Sequence, residues 1–384
     1  MTATDFKQPA FVRGLPMDAL PPPATMTGAL GWARANLFSG PFNIAMTILV
    51  ILLIVWVVPP LLKFLIIDAT WSGTDRDACL ASATNPEPGA CWAFVRERLS
   101  YFIYGSYPIP QRWRVDIFFA MLAIGIAWLL WLGAPRRDLG ALYFFIVLPI
   151  VSFILLKGWP LIGLVSVDTA LWGGALVTIV VATVGIVVSL PVGIVLALGR
   201  RSRMPAVKLF SVIYIEFVRG VPLITVLFMA SVMLPLFVPD AWSPDKLVRA
   251  LVGIAMFASA YMAEVVRAGL QAIPKGQYEG AMAVGLNYPQ MMRLIILPQA
   301  LKITIPNIVN TYIGLFKDTT LVSIVGMFDL LRTIESARID PKWATPVTSA
   351  TGYAVAAIFY FTFCYGMSRY ARYTEARLAR GERR

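Results

Sequence analysis

Four groups of polar residues interrupt an otherwise apolar chain: Glu216 with Arg219, Glu264 with Arg267, the stretch from Gln271 to Pro298, and Lys317-Asp318-Thr319-Thr320. None of them is a catalytic constellation. The chain contains no histidine, which removes every mechanism that needs an imidazole as base, proton shuttle or metal ligand. Its three cysteines supply no metal site, since Cys79 and Cys91 share one polar loop and Cys364 lies in an apolar segment. No Gly-x4-Gly-Lys-Ser/Thr loop is present to cradle a nucleotide phosphate. What these residues can do is neutralise charge where unpaired charge is expensive, and contact another molecule. Glu264 and Arg267 are three residues apart and face the same way on a helix. They read either as a structural ion pair or as a gate. Glu216 and Arg219 form a second such pair beside the helix break at Gly220-Val221-Pro222, with structure as the simpler role. Lys317 and Asp318 stand between two apolar runs, and an ionisable residue at mid-membrane depth is a functional candidate by default. The alternative reading has Asp318 or Thr319 capping the helix that follows, with Lys317 snorkelling to an interface.

The elements that position these groups follow from composition. At 384 residues with 58% hydrophobic and 14% charged residues, the chain has more apolar surface than a soluble domain of this length can bury, so lipid is the solvent for much of it. A formal charge of +12 would point to nucleic acid in a soluble protein. Here the basic residues gather beside apolar segments, which is a topology pattern, and no nucleic-acid partner is expected. About eight segments have the length and composition of membrane-spanning helices. They are residues 44–67, 115–132, 139–156, 170–198, 221–238, 247–270, 300–316 and 353–367. The expected fold is therefore all-α and polytopic.

Arg136 and Arg137 follow the second span, Arg200, Arg201, Arg203 and Lys208 the fourth, and Arg369, Arg372, Arg377, Arg380, Arg383 and Arg384 the last. All three clusters fall on one side, which the positive-inside rule makes cytoplasmic. The N-terminal tail, residues 1–40 with Pro21, Pro22 and Pro23 in a row, lacks the features of a secretory signal and reads as unstructured and cytoplasmic. Residues 68–114 are then outside, where Cys79 and Cys91 either pair or remain loop thiols. Sequence character changes near residues 159–169. This gives three N-terminal spans in 41–160, a functional core in 161–372 and a basic cytoplasmic tail in 373–384.

Between the sixth and seventh spans, residues 271–298 are too apolar for a plain loop. Residues 278–284 read as a short helix, Gly285 as its stop, and Asn287 with Pro289 as cap and first turn of a second helix ending before Pro298. Gly280, Ala281, Ala283 and Gly285 keep the corner thin, while Glu279 and Arg293 offer charge. That is the shape of a knob that enters a groove on another protein. Glu279-Gly280-Ala281, then Gly285 after three residues, then Ile295, Leu297 and Pro298 after nine more, resemble the EAA loop (Glu-Ala-Ala, three residues, Gly, nine residues, Ile-x-Leu-Pro) of ABC importer permeases. Glycine replaces the first alanine of that pattern.

Glu216-Phe-Val-Arg-Gly-Val-Pro-Leu223, Tyr261-Met-Ala-Glu-Val-Val-Arg267, Ile273-Pro-Lys-Gly-Gln277 and Lys317-Asp-Thr-Thr-Leu321 are similar to the polar amino-acid branch of that family. The overall arrangement resembles the M-type permease of general L-amino-acid importers. The resemblance implies a type I importer core and a bacterial inner-membrane location, with both termini cytoplasmic. It implies a cytoplasmic ATPase that uses ATP-Mg, a second related permease and a periplasmic amino-acid-binding protein as partners, beside membrane lipid. The chain itself is then not an enzyme and binds no cofactor. Lys317, Asp318, Thr319 and Thr320 become candidates for the substrate path, since an amino acid presents a carboxylate and an ammonium.

Overall fold

The structure, a computed structural model, describes residues 28–82, 85–131, 133–239 and 242–382, with side chains as far as residue 378. Residues 1–27 of the expected tail, Leu132 at the expected end of the second span, the side chain of Arg380, and Arg383 and Arg384 lie outside the described residues. Two compact units divide at Ile67 and Asp68. The first holds helix α1 (Gly28–Asn36) and the apolar helix α2 (Pro41–Ile67). Pro41 opens α2 where no intrahelical N–H partner is needed. Thr47 ties the helix to the preceding turn by donating to the Leu37 carbonyl at 2.9 Å.

The second unit contains α3 (Trp92–Tyr104), α4 (Ile109–Leu130), α5 (Arg137–Lys157), α6 (Gly174–Arg200), α7 (Pro205–Gly220), α8 (Leu223–Phe237), α9 (Lys246–Ala272), α10 (Lys275–Ala283), α11 (Tyr288–Ser323), α12 (Leu330–Ala337) and α13 (Pro346–Glu382). Among the described residues seven helices are long and apolar enough to cross a membrane. The count reaches eight if the pair α7–α8, bent by 105°, is one span. The expected fifth span, 221–238, is thus only half of that element. Pro222 makes the bend: it offers no N–H and forces Val221 into extended backbone, φ −109 and ψ 135.

Other prolines do not break their helices, and three of them share one device. Pro149, Pro235 and Pro298 each follow by two residues a five-residue π-turn, Tyr143–Val147, Met229–Met233 and Met292–Ile296. The wider turn lifts the carbonyl that a proline ring would strike and absorbs the missing hydrogen bond. The helix expected to end before Pro298 therefore continues through it, and the expected seventh span, 300–316, grows to Tyr288–Ser323.

Helices in lipid gain nothing from hiding apolar surface from water, so close packing depends on small residues. The buried face of α6 carries Gly174, Ala175, Ala182, Gly185, Gly193 and Ala197, and that of α9 carries Ala250, Gly253, Ala255, Ala258, Ala260 and Ala263. At Gly193 a β-carbon would stand 2.8 Å from Met262 Cβ and 3.0 Å from the Ala263 amide nitrogen, so only glycine allows this approach. The change in sequence character at residue 160 is not a break in packing. Val115, Phe118, Phe144, Leu148 and Leu156 share one core with Leu176, Val177, Val180 and Ile254.

At the end of the bundle where α6 and α9 begin, α3 packs on α12 and the start of α13. Phe94, Phe102, Ile334 and Trp343 fill that junction, and Arg98 pairs with Asp340. Lys342 lies 2.5 Å from Glu97 and holds its carboxyl below the ordinary carboxylate range. Cys79 and Cys91 are joined in a disulfide, Cα atoms 5.7 Å apart.

Candidate functional site

The loop singled out by spacing, residues 271–298, is a helical hairpin at the end of the bundle where α6 and α9 finish. Helix α10 stops in a Schellman arrangement: the Leu286 amide donates to the Ala281 carbonyl at 3.2 Å and the Gly285 amide to Met282 at 3.0 Å. This requires the left-handed φ of +79 found at Gly285. Asn287 then caps the next helix. Its side chain accepts from the Gln290 amide at 3.0 Å, and the Gln290 side chain accepts in return from the Asn287 amide at 3.1 Å.

One face of the hairpin is packed inward. Ala281, Met291, Met292, Ile296 and Ala300 are buried against Ala197, Met262, Val266 and Leu270, with Ile295 and Leu297 beside them. The other face is free within this chain. Met282 is 59%, Val284 72% and Tyr288 52% exposed, and a β-carbon on Gly280 would meet nothing within 4 Å. Glu279, Arg293 and Pro298 are also exposed. No internal contact asks for glycine at Gly280, so its small size is available to an external partner.

Beside the apolar packing, Tyr278 and Arg201 fasten the hairpin to two membrane helices by hydrogen bonds. Tyr278 of α10 donates to the Leu270 carbonyl near the end of α9 at 3.2 Å. Arg201, which follows α6, donates to the same carbonyl at 3.0 Å and to the Tyr278 hydroxyl at 3.2 Å, and covers its ring at 5.7 Å. Tyr278 and Arg201 thus join α10 to the ends of α6 and α9.

The charged pairs meet differently from the sequence expectation. Arg267 does pair with Glu264, at 2.8 Å. Glu216 and Arg219, expected to pair with each other, instead go to different helices. Glu216 lies 2.7 Å from Arg200, while Arg219 lies 3.9 Å from Glu264 and over the Tyr261 ring at 5.5 Å. Arg200 also reaches Glu264 at 2.9 Å. The result is one network of three arginines and two glutamates that ties α6, α7 and α9 together. Sequence reasoning counted Arg200 and Arg201 only as markers of topology. The signal for more was their place at the very end of an apolar run, within reach of acidic residues on the next helices.

Lys317 and Asp318 end the α-helical part of α11, and Thr319 to Ser323 continue it as a tighter turn. Just before them Leu315 packs against Gly185, near the middle of α6, and Phe316 is held by Phe359, Tyr360 and Phe363 of α13 at 5.2 to 6.1 Å. Lys317 is exposed and Asp318 half-buried. The capping alternative is not what forms: Asp318 makes no side-chain cap hydrogen bond. Thr319 is completely buried and donates to the Phe316 carbonyl at 2.8 Å, and Thr320 donates to Lys317 at 3.0 Å. Thr319 is thus part of the packing, and Lys317 and Asp318 are the polar groups left open on this turn.

A polytopic bundle with an exposed helical hairpin packed on its membrane helices defines an integral membrane protein. Residues 189–380 match the family described as binding-protein-dependent transport system inner membrane component. The chain is 48% identical to the inner membrane amino-acid ABC transporter permease protein YhdY of Escherichia coli, over 92% of this chain and 94% of that one. It is 40% identical to the glutamate/glutamine/aspartate/asparagine transport system permease protein BztC of Rhodobacter capsulatus, over 97% and 99%. A crystal structure of an amino acid ABC transporter with histidines matches at 28% identity and a TM-score of 0.46, over 52% of this chain and 90% of that one. The chain belongs to the binding-protein-dependent inner membrane component family: it is a permease subunit of an ABC importer, set in the inner membrane.

Proposed function

We propose that this permease carries amino acids, with both termini in the cytoplasm, and that the hairpin of residues 271–298 docks into a cytoplasmic ATPase that consumes ATP-Mg. This chain then binds no nucleotide and no other cofactor. A second, related permease completes the translocation path, since this chain brings one docking hairpin. A periplasmic binding protein delivers the substrate to the opposite face. The observation that carries the reading is the exposed knob of Met282, Val284 and Tyr288 around the open Gly280, fastened through Tyr278 and Arg201 to α6 and α9. An exposed apolar patch on a rigid corner is a protein contact, and the fastening passes ATPase closure to the helices that must move for alternating access.

The substrate class is supported by the names of the relatives. It is also supported by Lys317 and Asp318, which offer opposite charges beside the middle of α6 to a zwitterionic ligand. Purification from the native membrane in a gentle detergent tests the reading, with wild type compared to Glu279→Lys. Recovery of an ATPase and a second permease with wild type, and loss of the ATPase alone from the mutant, is the expected result. A chain that purifies alone and moves amino acids down an ion gradient would overturn it. Uptake of glutamate, glutamine, aspartate and asparagine is the first substrate panel to run.

A further inference from the structure

Three arginines and two glutamates meet where α6, α7 and α9 come together, so their network holds one positive charge more than it cancels. Two of the arginines are closely paired. Arg200 reaches Glu216 and Glu264 at 2.7 and 2.9 Å, and Arg267 grips Glu264 through Nε and Nη2, each at 2.8 Å. Arg219 is the one left over. Among the described residues its carboxylate contact is Glu264 at 3.9 Å, beyond hydrogen-bond length, and its guanidinium lies instead over the Tyr261 ring, 5.5 Å from the centroid. Its side chain is 36% exposed and Tyr261 is 37% exposed, so both can be reached by another molecule. A surplus guanidinium at the end of an apolar bundle is costly unless water or an anion meets it.

The placement of Arg219 selects the anion. Phe210, Ile213 and Phe217 are exposed and form the outward apolar face of α7. Arg219 stands about 150° round the helix from that face, next to the buried Ile215 and Val218, so it turns toward α9 and away from lipid tails. Gly220 follows it, and a β-carbon there would meet nothing within 4 Å. Space therefore adjoins the guanidinium. Past the bend at Pro222, Leu223–Phe228 touches the Thr319–Ser323 turn, which directly follows Lys317 and Asp318. We propose that Arg219, backed by the Tyr261 ring, is an inner station of the translocation path that receives the substrate carboxylate after it leaves Lys317. The proposal rests on the reading of this chain as an amino-acid permease. A guanidinium donates two parallel N–H bonds to a carboxylate, and an aromatic ring on its face leaves that edge free to do so. The ligand class is a molecule with a free α-carboxylate, whatever its side chain.

The permease, co-purified with its ATPase and second permease and placed in nanodiscs without nucleotide, is titrated with radiolabelled L-glutamine in competition with L-glutaminamide, which keeps the side chain and the ammonium but lacks the carboxylate. Wild type should prefer glutamine. Arg219→Gln should weaken glutamine binding about tenfold or more and remove most of its preference over the amide, while Arg219→Lys, which keeps the charge, should restore part of both. A loss of stability alone would not change that preference. Wild-type affinity and preference in Arg219→Gln overturn the proposal. So does a variant whose only defect is loss of the second permease, since Arg219 then answers a carboxylate of that chain. A wild type that takes up amino acids yet shows no glutamine binding in this state also overturns the station, whereas a wild type that takes up none of the panel overturns the amino-acid reading and the station with it.

Discussion

Arg200 Nη1 lies 2.9 Å from Glu264 Oε1, and the same nitrogen reaches Glu216 at 2.7 Å. One guanidinium at the end of α6 thus neutralises carboxylates from α7 and α9, beside the Arg201 that holds the docking hairpin. Arg200→Met leaves the 15%-exposed Glu264 side chain to Arg267 and the more distant Arg219. It is expected to cost about 1–3 kcal/mol of stability in detergent. Combining it with Glu264→Gln should cost less than the sum of the two single changes, a coupling that a double-mutant cycle on thermal unfolding reads directly.

Gly280 and Gly285 are small for different reasons, and mutation separates them. Gly280 faces open space, so Gly280→Trp should leave stability within about 0.5 kcal/mol of wild type while abolishing co-purification of the ATPase. Gly285 carries φ +79, so Gly285→Ala should strain the corner by about 1–2 kcal/mol. It should weaken both hairpin order and ATPase binding. A Gly280→Trp chain that still retains its ATPase would place the contact elsewhere.

Lys317→Met and Asp318→Asn remove the open charges of α11 without disturbing its packing. If these side chains bind a zwitterion, each should lower uptake about tenfold or more, the loss of one charge-assisted hydrogen bond. ATPase association should stay normal. Uptake at wild-type level in both variants would remove this turn from the substrate path.

The Cys79–Cys91 disulfide closes a short loop, with a sequence separation of 12, beside a junction that locks α3 to α12. The chain-entropy model assigns such a crosslink about 3 kcal/mol, so dithiothreitol should lower the melting temperature of the purified chain. A Cys79→Ser/Cys91→Ser chain should melt at that lower temperature with or without the reductant. Thiol alkylation of intact cells before and after reduction checks the topology as well. Protection that is lost only on reduction places this loop outside.

Asp329 is fully buried, and burial raises its pKa from 3.8 to about 6 although it accepts from the Leu331 and Arg332 amides. The neighbouring Glu335 carboxylate pushes the same way. Because the folded pKa lies above the unfolded one, the native chain binds this proton more tightly. The contribution is complete below about pH 4 and is lost as pH rises through about 6, on the order of 3 kcal/mol. Asp329→Asn keeps the cap and cannot ionise. Subtracting its stability-against-pH curve from that of wild type should leave a fall between pH 4 and 6.

Apolar runs of membrane-spanning length and the Gly285–Asn287 corner were readable from sequence because each is set by its own residues. A run of apolar side chains partitions into lipid wherever it sits, glycine ends a helix in a left-handed turn, and Asn with Gln three residues on caps one. Neighbours in space decided the rest. Pro298 reads as a stop in isolation, yet the π-turn before it carries the helix on. Pro222, with Val221 before it in extended backbone, produces the 105° bend. The pairing of Glu216 with Arg200, and not with Arg219 three residues away, could not be read locally, because a long charged side chain chooses among all partners within reach. Residue spacing proposed the charges and the knob. Close approach of α6 and α9 over Gly193 brought Arg200, Glu264 and Arg201 to one end of the bundle, and only packing in three dimensions can fix which opposite charges lie close enough to neutralise each other in a medium where unpaired charge is so costly.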